Sequence, residues 1–281
     1  MMLAILLALA ASGAWGSADF LGGLSARRVP ILVVAAVSQA VGLGFTLLVV
    51  LAVWRGPDDP AVLWLGAVAG LLGAAGLSAL YQGLAVGRMG VVAPIAAMSG
   101  LVPIAVGLVA QHDRPEQLQV AGMALAIGGV VMAARARDPS GAAGRLTNGV
   151  GLALVAALFL GSMVVALDAG GDRDPVWTIF MVRVSSVTVL WLVVAARRPS
   201  MSTVRPNVAT LAGAGVLDNL ANLLFVLASA RGLLSLVSVL GSLYPVVTVV
   251  LARVVLDERL SRWQIVGVAA ALGGVALISL G

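Results

Sequence analysis

The sequence predicts an all-α integral membrane protein with ten transmembrane helices, arranged as two five-helix repeats of inverted topology. Three observations carry this. First, only 10% of the 281 residues are charged and 61% are hydrophobic, with a mean hydropathy of +1.10. Soluble domains hold about 25% charged residues. Second, the apolar residues fall in runs of about 20, the length a helix needs to cross a bilayer. Third, the two halves of the chain align with each other.

The spans read, in order, 2–24, 31–53, 61–86, 90–111, 117–135, 147–168, 175–195, 207–229, 233–254 and 263–280. Each is bounded by charge, Pro or Gly clusters, such as Arg27-Arg28-Val29-Pro30 after the first and Asp257-Glu258-Arg259 before the last. The first span has no positive segment before it and has a counterpart in the second half, so it reads as a span and not as a cleaved leader. The runs are too long for membrane strands and lack their period-2 alternation. With short loops, a compact helix bundle remains. The halves divide as 1–138 and 146–281, joined by a connector at about 135–146 that contains Arg, Gly, Pro and Ser.

The repeat shows in detail. Ser99-Gly100-Leu101-Val102-Pro103-Ile104 falls on Gly241-Ser242-Leu243-Tyr244-Pro245-Val246 at an offset of 142 (241 − 99), which also carries Glu116 onto Glu258. At 145 (273 − 128), Gly128-Gly129-Val130 falls on Gly273-Gly274-Val275, and Gly16-Ser17 on Gly161-Ser162. A five-span unit enters the membrane and leaves on the other side, so its repeat is inserted upside down. Inverted pairs of this kind place substrate sites at the repeat interface near the midplane.

Ten spans, Trp15-Gly16-Ser17 in the first helix, Leu243-Tyr244-Pro245-Val246 in the ninth, and Leu256-Asp257-Glu258-Arg259-Leu260 leading into Gln264-Ile265-Val266-Gly267 together resemble the EamA-type members of the drug/metabolite transporter superfamily. The resemblance covers the whole chain and is strongest from about Leu227 to Ile278. It implies export or exchange of small metabolites, amino acids or drugs, often linked to protons. It also implies a central cavity lined by the third, fourth, eighth and ninth helices, with contributions from the first and sixth.

Composition excludes other chemistries. The chain has no Cys and a single His, His112, which removes thiolate, disulfide and His-based metal sites. All 17 cations are Arg, scattered between apolar runs, unlike the clustered footprint of a nucleic-acid binder. No Walker loop is present, so ATP is not the expected energy source. No cofactor is expected.

The informative residues are polar groups inside spans, because a mid-bilayer charge costs at least about 2.5–3.5 kcal/mol and needs a cavity or a partner. Asp218, Asn219 and Asn222 form the main constellation, with Asp218 and Asn222 on one face at i,i+4. Asp218 reads as a proton carrier or cation ligand, or alternatively as a structural partner of Arg183. Asp19, one turn past Trp15, is the second coupling candidate. Asp168 reads as a solvated charge at a span end. Tyr81, Gln82, Ser99, Tyr244 and Trp15 suit the lining of a site for a small amphipathic or aromatic solute. Trp54, Trp64, Trp177 and Trp263 fit an interfacial belt. Pro94, Pro103 and Pro245 each remove a backbone hydrogen bond and can kink a helix beside a cavity. The stripe Gly66, Gly70, Gly73, Gly76 suits helix packing. Glu116 and Glu258 read as loop ion pairs or gate latches, with Arg183 and the two span prolines as further gate or structural residues.

The expected function is secondary active transport of a small organic solute by alternating access, with a proton or cation gradient as the driving force. The expected setting is the plasma (inner) membrane, and the expected state a monomer, because one chain holds both repeats. The alternatives are a membrane-embedded enzyme or lipid-handling protein, which would need clustered Arg plus acid/base groups at one face, and a channel, which would need a continuous polar stripe. Orientation divides the arguments. Loops on the side away from the termini carry 12 arginines against 4 on the terminal side, which favours both ends outside. Members of the resembled family usually keep both ends in the cytoplasm.

Overall fold

The computed structural model describes residues 2–26, 28–53, 55–86, 96, 98–133, 146–255 and 262–280. Among the described residues every regular element is helical. The order is α1 (Met2–Ala26), α2 (Ile31–Val53), α3 (Ala61–Val86), a 3₁₀ turn (Met98–Gly100) running into α4 (Leu101–Val109), α5 (Gln117–Ala133) and α6 (Leu146–Gly171). Then follow α7 (Pro175–Arg197), a 3₁₀ turn (Arg205–Asn207), α8 (Val208–Ser229), α9 (Leu234–Gly241), α10 (Tyr244–Val255) and α11 (Arg262–Leu280).

Among the described residues, six helices are long and apolar enough to cross a membrane: α1, α2, α3, α6, α7 and α8. The predicted ninth span is two helices, α9 and α10, separated at Ser242-Leu243. The Ser242 hydroxyl donates to the Val239 carbonyl at 2.7 Å and helps close α9. Pro245, with no N–H to give, sits at the start of α10. Of the predicted fourth span, the continuous described part is Met98–Val109, which begins in a 3₁₀ turn at the corresponding place. Pro94, Glu258 and Trp54 lie outside the described residues.

Small residues are buried at helix contacts, while large apolar ones both fill the core, as Phe225, Leu167 and Leu240 do, and cover the outside. Ala4, Ala8 and Ala11 on α1 and Ala126 on α5 are buried, whereas Leu48, Leu154, Leu192 and Leu272 are exposed. In lipid there is no gain from hiding Leu, and close backbone contact has to supply the packing. The α5–α11 pair shows how close. A Cβ on Gly274 would lie 2.6 Å from both the Ala126 nitrogen and the Gly122 carbonyl, and Gly129 faces Ala271 and Gly267 in the same way.

Helix contacts interchange when the two halves are exchanged. α1 packs on α8 as α6 packs on α3, α1 on α10 as α6 on α4, and α2 on α8 as α7 on α3. The contacts also correct the register read from the sequence. Gly16 faces the Tyr244 carbonyl and Val247, and Gly161 faces the Ser99 carbonyl and Val102. Both correspondences run at 145 (244 − 99 and 247 − 102), not at the 142 that superimposes Pro103 on Pro245. The two registers differ by three residues, nearly one helical turn, so they present similar faces.

At the end of the bundle that holds the N-terminus, polar groups tie the loops together. Asp174, fully buried, caps α7 by accepting from the Val176 and Trp177 N–H groups at 3.1 and 3.2 Å, with Pro175 at the first helical position. Its other oxygen accepts from Arg55 at 2.9 Å. Arg173 pairs with Asp59, and the Ala61 N–H and this arginine hold the Asp59 carboxyl below the usual carboxylate range. Asp113 accepts the Ser235 N–H at 2.8 Å. Asp168, expected to be solvated, is 2% exposed because Gln111 donates to it at 2.9 Å and Ser229 lies beside it.

Two outcomes follow for thermal unfolding in detergent. Gly274→Val should cost about 1–3 kcal/mol by forcing α5 and α11 apart, while Gly128→Ala, which meets nothing within 4 Å, should leave the melting temperature nearly unchanged. Asp174→Ala should cost about 2 kcal/mol through loss of the α7 cap.

Candidate functional site

A cavity of about 140 Å³, measured as the space open to the centre of a water molecule, lies in the middle of the bundle. At about 30 Å³ per water in the liquid, this is room for roughly five waters, the scale of a small organic solute. Residues of α1, α2, α3, α4, α6, α7, α8, α9 and α10 line it.

Among the described residues, Arg183 on α7 is the most buried cation, at 2% exposure. A guanidinium here cannot reach an interface, so its charge has to be met within the protein. Its Nη1 lies 2.8 Å from the Asp218 carboxylate and also donates to the Gln39 side-chain carbonyl. Its Nε donates to Asn219 at 2.9 Å. Gln39 closes the ring by donating to Asp218 at 3.1 Å, and Ser186 donates to Gln39 at 3.1 Å. The second terminal nitrogen, Nη2, has no partner among the described residues. Gly42 borders the guanidinium, where a Cβ would meet Nε at 3.4 Å, an ordinary contact.

Asp19 lines the cavity from α1, within electrostatic reach of Asp218 and Tyr244. No cation or hydrogen-bond donor is paired with it among the described residues. Trp15, one turn before Asp19, stacks at a tilt on Phe225 with ring centres 5.5 Å apart. Gly241 leaves room for both rings. Ser99 lies beside the Tyr244 hydroxyl, and both line the cavity. The opposite wall is apolar, built by Leu77 and Leu80 of α3 and Leu160, Met163 and Val164 of α6.

Of the residues singled out from the sequence, the cavity brings together Trp15, Asp19, Ser99, Pro103, Arg183, Asp218 and Tyr244. It does not include Asn219 or Asn222, both of which are buried behind it. Asn219 serves Arg183, and the Asn222 amide is held by the Asp218 backbone carbonyl at 2.9 Å, one turn back on the same helix. Gln82 is exposed and away from the cavity, because α3 has turned outward by that position. The Tyr81 side chain lies outside the described residues. Glu116 is exposed at the start of α5, where its N–H donates to Gln119 at 2.9 Å. Gln39 and Ser186 are the residues that sequence reasoning missed. The signal was available for Gln39, a lone amide in an otherwise apolar second span.

The ring around Arg183 makes a double-mutant prediction. Asp218→Leu alone leaves a buried guanidinium without its counter-charge and should cost about 3–5 kcal/mol in thermal unfolding. Adding Arg183→Leu should recover most of that loss, giving strongly non-additive values.

The comparisons with known proteins agree with this architecture. No curated protein matches the chain at a significant level. A solved structure described only as "Crystal structure of protein" superimposes with a TM-score of 0.83 at 21% identity, covering 99% of this chain and 98% of that one, which shows a shared fold. The family model described as "EamA-like transporter family" matches twice, over residues 2–135 and 147–280. The chain is a multi-pass integral membrane protein that belongs to the EamA-like transporter family, within the drug/metabolite transporter superfamily.

Proposed function

We propose that the chain is a secondary active transporter that moves a small organic solute across the plasma (inner) membrane by alternating access. The observation that carries this reading is the mid-bundle cavity, which has a charged and hydrogen-bonded face deep in an apolar bundle. Such a face is costly in lipid unless it serves a solute or ion. The interchange of helix contacts between the halves supports an inverted repeat, in which one half rocks against the other about a central site. Ten crossings fit this reading if the interrupted ninth and the partly described fourth elements each count as one. Breaks at matching places beside the cavity, at Met98–Gly100 and Ser242-Leu243, would serve as hinges.

Asp19, Asp218, Ser99, Tyr244 and Trp15 would contact the solute, with Asp19 or Asp218 coupling its movement to protons. Asn219 and Asn222 would act behind them. Both repeats sit in one chain, so a monomer completes the pathway.

Purified protein in proteoliposomes tests this. The expected result is saturable counterflow of at least one small organic solute, accelerated by an imposed pH gradient and absent from empty vesicles. Non-saturating flux would indicate a channel, and conversion of the solute without any gradient would indicate an enzyme. Either result would overturn the reading.

A further inference from the structure

Among the described residues, the walls of the cavity carry four titratable or charged groups: Asp19 on α1, Arg183 on α7, Asp218 on α8 and Tyr244 on α10. Among the described lining residues, α2, α3, α4, α6 and α9 contribute none. Arg183 and Asp218 are in contact and cancel. With the tyrosine neutral, Asp19 decides the net charge. Ionised, it leaves the cavity at −1. An uncompensated charge in a membrane interior is heavily penalised, so the Asp19 carboxylate needs a match, either a proton or a single positive charge beside it.

The rest of the cavity describes that positive charge. Trp15 stands one turn from Asp19 on the same face of α1, and an indole face attracts an ammonium group. Across the cavity, Leu77, Leu80, Leu160, Met163 and Val164 offer only hydrocarbon and thioether surface. One side is polar with a single unmatched carboxylate, and the other is apolar.

We propose that the cavity takes an amphipathic organic monocation, a protonated amine with an apolar body, whose ammonium occupies Asp19 and whose body lies on the α3–α6 wall, and that its entry displaces one proton from Asp19 to water. The balance is a carboxylic acid and an ammonium ion giving a carboxylate–ammonium pair and a released proton. Charge in the cavity is zero before and after, so exchange of amine for proton is electroneutral. A zwitterion would leave the carboxylate's excess charge in place, and an anion would add to it. This assignment deepens the transport reading of the same cavity and rests on it for the direction of exchange, but its core is a binding equilibrium.

The test is binding of phenethylamine to the purified full chain in detergent, between pH 5 and 8, with 2-phenylethanol and phenylalanine as neutral and zwitterionic counterparts. The expected result is amine affinity that falls by up to about tenfold per pH unit toward the acid end, with proton release on binding there, and much weaker binding of the other two. Asp19→Asn should lower amine affinity by about tenfold or more and remove its pH dependence, whereas Asp19→Glu should keep that dependence. The wild-type pH profile needs no variant, so a misfolded Asp19→Asn leaves the test intact. Binding of phenylalanine in preference to the amine, or amine binding independent of pH, would overturn the assignment. If binding behaves as expected but vesicles show no amine flux, the transport reading falls and this one stands. If vesicles transport an anion or zwitterion and the amine does not bind, the reverse holds.

Discussion

The structure depends on one constraint: a guanidinium that cannot leave the membrane interior. Arg183 is held by Asp218, Gln39 and Asn219, and Gly215 lets α8 approach Ser38 of α2 closely enough for them to meet. The three helices involved, α2, α7 and α8, are thereby tied together at the middle of the bundle. Gln39 and Arg183 are each the ninth residue of their helices (39 − 31 and 183 − 175 both equal 8), so they occupy matching places in the two halves. Their hydrogen bond joins the repeats at the point where equivalent positions meet. A neutral amide on one side and a cation on the other is the first departure from symmetry.

The other departures make the cavity two-faced. At the offset of 145 seen in the packing, Asp218 corresponds to Gly73, Asp19 to Val164, Trp15 to Leu160 and Phe225 to Leu80. Two identical repeats would give two identical half-sites. Here one half-site has kept charge and aromatic surface, and the other has become hydrocarbon. The fold supplies the enclosed space, and divergence of the repeats supplies the chemistry within it. Because Asp218 is paired with Arg183, Asp19 is the carboxylate we propose for a solute or a proton, the residue that ranks second when the sequence is read alone.

Much of this was legible beforehand, for physical reasons. Bilayer thickness fixes span length, so α1, α2, α3 and α6 to α8 could be placed within a few residues. Arg183 was readable as a paired charge because mid-membrane cations need partners. The Gly66–Gly76 stripe was readable as packing, and it meets Met181, Val182, Met163 and Leu160. What stayed hidden depends on three-dimensional rotation and register. Asn222 shares a helical face with Asp218, but its amide turns back to the backbone, which no spacing rule reveals. Gln82 lies two residues past Leu80, roughly 200° further round α3, and is exposed. Asp168 is a span-end carboxylate, and only the folded α4–α5 loop brings Gln111 to bury it. The register near Pro103 and Pro245 was set by a proline match, whereas packing follows the small residues Gly16 and Gly161.

The central claim is that Asp218 is neutralised by Arg183 and Asp19 alone carries the exchangeable proton. Infrared difference spectroscopy of the purified protein, with and without a bound amine, tests it most directly. The account predicts that amine binding removes one protonated-carboxyl band, that this band is missing in Asp19→Asn, and that it persists when the ion pair is removed as a whole, in the charge-balanced double variant Arg183→Leu, Asp218→Leu. A band that persists in Asp19→Asn and disappears in the double variant would contradict the account, placing the exchangeable proton on the carboxylate that faces Arg183.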